Sequence, residues 1–235
     1  MLSPSNNRVI PTIRFKSWRN PSPPGKILAI RYQALGDTVA ALPYLQSLKH
    51  QHPEIEIHFL TRKEVCAIPK SIGLFEKVIT IGGKRNTIVQ LILTLLKVPY
   101  LWRQRYDIIL DLQNHKISTL LRKLLATDAW VMYDKYSPIS AGERYRLTME
   151  ALGLWKIGID TNFRSNVDAE KLLRLNNWKN NSDLVALNPA GSFPSRNWPL
   201  DNYIAFAKLW LKARPNTQFV LLLLPALNEK GDYIS

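Results

Sequence analysis

A single cysteine, Cys66, means that no internal disulfide can form, and it suits a reducing compartment. Four histidines, His50, His52, His58 and His115, make no structural zinc pattern with that one thiol. Acidic residues are also scarce, 18 Asp+Glu against 32 Lys+Arg, which leaves a net charge of +14 and a pI near 9.9. That balance favours anionic partners: nucleic acid, acidic lipid headgroups or phosphorylated substrates. No apolar core of a secretory leader stands in residues 1–25. The longest apolar stretch, 88–102, is interrupted by Gln90, Thr94, Lys97 and Pro99 and is too short to span a bilayer. Neither a Gly-x-Gly-x-x-Gly fingerprint nor a Walker Gly-Lys-Ser/Thr is present.

What is present reads as α/β. Hydrophobic residues make up 46% of the 235-residue chain, enough to bury a core of one large or two modest domains. Residues 1–25 are rich in Pro, Ser, Asn, Arg and Lys, and the run 21–25 is an extended Pro-rich segment, so this basic arm is expected to be disordered. From Lys26 the pattern alternates. Near-continuous apolar runs at 26–30, 55–60, 78–81, 108–112 and 129–133 suit strands covered on both faces. Between them Val39, Leu42, Leu45 and Leu48, and later Ile117, Leu120, Leu121 and Leu124, recur at helical spacing. This order predicts a doubly wound parallel sheet over 26–180. Further helices are predicted at 143–152 and 168–177. After the polar break at 176–183 the β-α-β order restarts, with strands at 184–187 and 219–224 and a helix at 201–213. Residues 181–235 are therefore read as the opening of a second Rossmann-like domain.

Three stretches carry polar groups at strand ends, where ligands of open α/β sheets collect. The first is Gly36-Asp37, in a tight glycine turn after strand 26–30. A carboxylate there can take a proton from an attacking hydroxyl. An Asp before an apolar-periodic run is equally a helix N-cap, and the two roles can coexist. The second is the loop 188–200, Asn-Pro-Ala-Gly-Ser-Phe-Pro-Ser-Arg-Asn-Trp-Pro-Leu. Backbone N–H groups around Gly191 and Ser192 can cradle a phosphate oxygen, and Arg196 adds a fork suited to a diphosphate. The third is Tyr-Asp-Ile-Ile-Leu-Asp-Leu-Gln-Asn at 106–114, which puts Asp111, Gln113 and Asn114 at a strand's carboxyl end. They either face the cleft or only cap the turn and the next helix. Between Glu76 and Asp107 no acidic residue occurs, while Lys84, Arg85, Lys97, Arg103 and Arg105 flank an apolar run at 88–101. That run is either a buried core helix or a helix lying on an anionic membrane surface.

These stretches resemble glycosyltransferase family 9, the ADP-heptose:lipopolysaccharide heptosyltransferases and their relatives. Gly36, Asp37, Leu42 and Pro43 match the family's Gly-Asp-x-x-x-x-x-Pro segment; 106–113 is similar to its Tyr-Asp-x-x-Ile-Asp-x-Gln; and Arg196 stands two places before Trp198-Pro199, as a Lys or Arg does in the family. The resemblance implies a GT-B-like fold and an inverting transfer from a nucleotide-diphosphate sugar of ADP-heptose type to an anionic glycolipid or glycan. Asp37 would be the base, and Gly191, Ser192 and Arg196 the donor diphosphate site. It also implies a cytoplasmic enzyme at the inner membrane face. No two aspartates stand two apart, so the metal-binding Asp-x-Asp of many other glycosyltransferases is missing, which fits metal-independent transfer without a cofactor. Where the family commonly has a His three places before Glu143, this chain has Ser140.

The resemblance ends at about residue 224, before the family's Asp-Thr-Gly-x-x-His segment. The expectation is a relative truncated in its second domain, completed by a partner chain, or a non-catalytic acceptor-binding remnant. Nucleic-acid binding rests on charge alone, with no recognition motif behind it.

Overall fold

The computed structural model describes residues 13–83, 86–179, 181–189, 197–223 and 228–234. Two compact units divide the chain, Met1–Val167 and Asp168–Ser235.

The first unit is built on a six-stranded sheet in the order β1-β6-β5-β2-β3-β4. Its strands are β1 (Arg14–Lys16), β2 (Lys26–Ile30), β3 (Glu56–Arg62), β4 (Lys77–Ile81), β5 (Ile108–Asp111) and β6 (Ala129–Met132). All neighbours from β6 to β4 are parallel, and β1 alone is antiparallel, on the edge of β6. The apolar runs expected as strands are strands, and the helices between them are α1 (Leu35–Gln51), α2 (Ala67–Ser71), α3 (Thr87–Arg103), α4 (Lys116–Leu125) and α5 (Ala141–Glu150).

Side-chain alternation along β2 explains both layers. Ile27 and Ala29 face one core, with Leu45 and Leu48 of α1 and Tyr145 and Met149 of α5. Leu28 and Ile30 face the other, with Val98 and Leu101 of α3 and Ile117 and Leu121 of α4. All four β2 side chains are fully buried, as a strand covered on both faces requires. Sequence order steps from β2 outward to β3 and β4, then returns to β5 on the other side of β2. The switch point of the doubly wound sheet therefore falls between β2 and β5, where Ile30 pairs with Asp111.

The arm expected to be disordered is not so over residues 13–25. Phe15 pairs with Val131 in β1, Lys16 Nζ donates to the Thr127 carbonyl at 3.2 Å, and Ile13 and Trp18 pack on the core. Further along, the Asp107 carboxylate accepts from the backbone N–H groups of Gly25 and Lys26 at 2.8 and 2.9 Å. The physical reason is that β6 would otherwise present an open edge, and a short basic strand covers it. Proline-rich composition hid the two apolar anchors, Ile13 and Trp18.

The second unit contains α6 (Ala169–Leu175), β7 (Asp183–Leu187), α7 (Leu200–Ala213), β8 (Thr217–Leu221) and α8 (Asn228–Ile234). Strands β7 and β8 are parallel, Val185 beside Phe219. Among their side chains only Leu187 and Thr217 are buried, and α7 buries none. So little burial should make this unit the first to open. In native-state hydrogen exchange, amides of β7 and β8 should exchange at least about tenfold faster than those of β2, β3 and β5. Equal protection of both sheets would show that β7 and β8 are covered in solution.

Candidate active site

The candidate site lies at the switch point, where the chain leaves β2 and β5 in opposite directions. Arg31 directly follows β2 and is buried. A buried guanidinium must be met by acceptors. Its Nη1 donates to the Leu112 carbonyl beyond β5, and its Nη2 pairs with Asp37 Oδ2. The rings of Tyr133 and Tyr145 lie 5.7 and 5.9 Å from its Cζ and are stacked on each other at 4.6 Å. One charge thus gathers groups from β2, α1, the β5 loop, the β6 end and α5.

Asp37 is not the N-cap of α1. Ala34 holds that position, in extended backbone, and Asp37 is three residues inside the helix. From there its Oδ2 reaches back to the Ala34 N–H at 3.4 Å, and its negative charge lies in the first helical turn, where the helix dipole favours it. The side chain remains 49% exposed, so the carboxylate faces solvent as well as Arg31. Gly36 likewise belongs to α1 rather than to a tight turn; a Cβ there would meet no atom within 4 Å, and the approach to Asp37 is open on that side. The Tyr145 hydroxyl donates to the Asp37 backbone carbonyl at 3.0 Å, fixing the turn that carries it. Burial pushes the phenols of Tyr145 and Tyr133 above the ordinary tyrosine value, so both remain neutral donors.

Asp111 has a different job. It is fully buried at the end of β5. Its Oδ1 accepts from the N–H groups of Gln113 and Asn114 at 3.2 and 2.9 Å, and its Oδ2 from the Ser118 hydroxyl at 3.1 Å. Burial pushes its carboxyl upward, while these hydrogen bonds and the Arg122 guanidinium oppose the shift. It has no face left for a ligand and shapes the turn into α4. Gln113 is a tie: its Oε1 accepts from the N–H groups of Tyr32 and Gln33 at 2.9 and 3.1 Å, holding the β2 loop to the β5 loop. Asn114 adopts a left-handed backbone (φ 47°) and its Nδ2 donates to the Tyr133 carbonyl at 2.8 Å. The structure therefore favours the turn-forming role for Asp111 and Asn114.

Cations that the sequence reading passed over surround the same edge. Arg62, buried at the end of β3, donates to Gln33 Oε1 at 3.0 Å. Arg144 of α5 donates to the Lys135 carbonyl at 2.9 Å and lies 5.1 Å from the Tyr133 ring, which it shares with Arg31. Lys135 reaches the Asn114 carbonyl at 3.2 Å. Each stands at, or just beyond, the carboxyl end of a strand or at the start of α5; that placement was the usable signal. Ser140 caps α5, accepting from the Glu143 N–H at 3.3 Å. Gly191, Ser192 and Arg196 lie outside the described residues. Among the described residues no group of three or more His, Cys, Asp or Glu is placed to hold a metal ion. Nor is any described helix long and apolar enough to cross a membrane.

Replacing the two carboxylates should separate their roles. Asp111→Ala strands several buried donors and should lower unfolding free energy by on the order of 3 kcal/mol. Asp37→Asn keeps an acceptor facing the buried Arg31 and removes the charge of a carboxylate that is itself 49% exposed, so it should cost less, on the order of 1–2 kcal/mol. Urea titration of both variants checks this, and comparable losses would contradict the division.

No protein-family model matches the chain. Over 101 residues, 43% of its length, it is 30% identical to lipopolysaccharide heptosyltransferase 1 of Campylobacter coli, and it spans 29% of that relative. In fold it is similar to a glycosyltransferase family 9 protein of Veillonella parvula, with a TM-score of 0.74 and 14% identity over 89% of this chain and 65% of that one. It is also similar to E. coli ADP-heptose lps heptosyltransferase II, with a TM-score of 0.66 and 18% identity over 89% and 67%. A third similar structure is E. coli heptosyltransferase WaaC with ADP-2-deoxy-2-fluoro heptose, with a TM-score of 0.62 and 15% identity over 89% and 72%. The chain thus resembles the family 9 heptosyltransferases in sequence over part of its length and in fold over most of it, and its fold is α/β of the GT-B type.

Proposed function

We propose that this chain carries the acceptor side and the base of an inverting, metal-independent glycosyltransferase. The sugar, of heptose type, moves from a nucleotide-diphosphate donor to an anionic glycolipid or glycan. The observation that carries this reading is the Arg31–Asp37 pair at the switch point, its arginine buried and its carboxylate half open to solvent, with Lys135 and Arg144 at the same edge. Heptosyltransferases among the similar proteins add the substrate class.

In the reaction, an acceptor hydroxyl attacks the anomeric carbon from the face opposite the diphosphate. Its proton passes to Asp37, the carbon–oxygen bond to the diphosphate breaks, and the nucleoside diphosphate leaves with the electron pair. Arg31 keeps the carboxylate aimed before the proton arrives. Lys135 and Arg144 make that edge attractive to phosphate or carboxylate groups of the acceptor. Gly191, Ser192 and Arg196 hold the departing diphosphate in this reading, in place of a metal ion. Its partners are the glycolipid acceptor, the inner face of the cytoplasmic membrane, and a chain contributing further donor-binding groups. A second reading, a module that binds acceptor without turnover, is favoured by one observation: in the described parts of β7, α7 and β8 only Leu187 and Thr217 are buried.

With ADP-heptose, a lipopolysaccharide-core acceptor and the chain that contributes the further donor-binding groups, sugar transfer and nucleoside-diphosphate release should be measurable, and the chain alone should show none. Asp37→Asn should lower kcat by about 100- to 10,000-fold, the usual contribution of a general base. Activity within a few-fold of the parent removes Asp37 from that role, and acceptor binding with no release by the completed parent selects the second reading. Calorimetric titration with ADP should show Arg196→Ala weakening binding by roughly 1.5–3 kcal/mol, the worth of hydrogen bonds to a charged group. Equal affinity would exclude that contact.

A further inference from the structure

Helix α3 is more apolar outside than inside. Thr94, Val98 and Leu101 are its buried positions, facing α4 and β4. On the opposite side Ile88, Ile92, Leu95, Leu96 and Pro99 follow one another at helical steps, with Trp102 one turn on. Ile88 and Leu96 are each 71% exposed, Trp102 56% and Ile92 51%. Val89 and Tyr100 widen the stripe. Single exposed apolar residues are ordinary, but a contiguous stripe over a 17-residue helix marks an interaction surface. The alternative reading of this run as a core helix does not hold, because among the described residues its widest apolar arc is exposed.

The surroundings say what covers it. Between Glu76 and Asp107 the sequence has Lys77, Lys84, Arg85, Lys97, Arg103 and Arg105 and no acidic residue. Among the described ones, Arg103 and Arg105 are exposed beside the helix's carboxyl end, and Lys97 lies 5.9 Å from the Tyr100 ring. A second copy would bring this cationic border against itself, on a chain already at +14. An anionic bilayer meets both requirements at once: acyl chains take up the stripe and headgroups meet the basic rim. Trp102 suits the boundary, since its ring is half exposed while its Nε1–H is satisfied by the Leu124 carbonyl at 2.9 Å. The helix is too short to span and would lie in the plane of the interface.

We propose that the outer face of α3 docks the protein on an anionic lipid bilayer through Ile88, Ile92, Leu95, Leu96 and Trp102. Helix α3 starts just beyond the carboxyl end of β4, so its first turn lies at the sheet edge that also carries Arg31 and Asp37. Docking does not depend on sugar transfer, and a chain without turnover would still bind.

The test is co-sedimentation of the full chain with phosphatidylcholine vesicles, with and without roughly 30 mol% phosphatidylglycerol. The parent should bind the anionic vesicles, weakly or not at all the neutral ones, and less at high salt. Ile92→Glu with Leu96→Glu should lower the partition coefficient by at least about tenfold. Both positions face solvent, so circular dichroism should show an unchanged fold. Lys97→Gln with Arg103→Gln and Arg105→Gln changes exposed side chains only and should also weaken binding severalfold. Light scattering should find the parent monomeric without lipid. The proposal is overturned if the parent ignores anionic vesicles, if neither variant loses affinity, or if the parent is a dimer that the glutamate pair dissociates.

Discussion

The Arg31 guanidinium is buried where the doubly wound sheet divides, and the candidate site is organised around it. A charge taken out of water has to be met by acceptors and by polarisable surface, or the fold loses several kcal/mol on the order of a broken buried ion pair. Here the Leu112 carbonyl, the Asp37 carboxylate and the paired rings of Tyr133 and Tyr145 meet it. Those groups come from separate elements, so the condition on one charge positions several loops at once. Asp37 is aimed as a consequence, and the Tyr145 hydroxyl on its backbone carbonyl removes slack from the other side.

Two carboxylates on neighbouring strand ends show how burial assigns roles. Ile30 and Asp111 are paired in register, and Asp37 follows the first of them by one turn of chain. Asp111, without solvent contact, is consumed by three local hydrogen bonds and turns the chain into α4. Asp37 retains half its surface and an open approach over Gly36. A carboxylate whose oxygens are all engaged can hold a shape; one with a free flank can exchange a proton with a ligand.

Coverage of the first unit is unequal in a way that bears on where the protein works. The α1–α5 face is filled to the aromatic rings of Tyr44, Tyr133 and Tyr145, whereas α3 closes its layer with one side and leaves the other apolar and cation-bordered. The second unit is sparsely buried throughout its described strands. Neither surplus of exposed apolar surface is needed to close the six-stranded sheet, whose central strands are already fully buried.

Near-continuous apolar runs and helical spacing determined the element order and the parallel sheet, because strands buried on both faces leave an uninterrupted signature in the chain. The Gly36-Asp37 position was legible for the same reason: it follows the end of a strand that composition alone identifies. The edge strand at Arg14–Lys16 was not, since its pairing is decided by the open side of β6, far along the chain, and not by its own Pro-rich context. The donor loop residues Gly191, Ser192 and Arg196 rest on sequence alone. Only tertiary structure decided that Asp37 sits at the third position of α1 rather than at its N-cap, that Asp111 is sealed, that Arg62 and Arg144 join Arg31 at one edge, and that the apolar run of α3 faces outward. Each of these depends on which distant groups supply acceptors or cover surface, and local sequence carries no record of that distance.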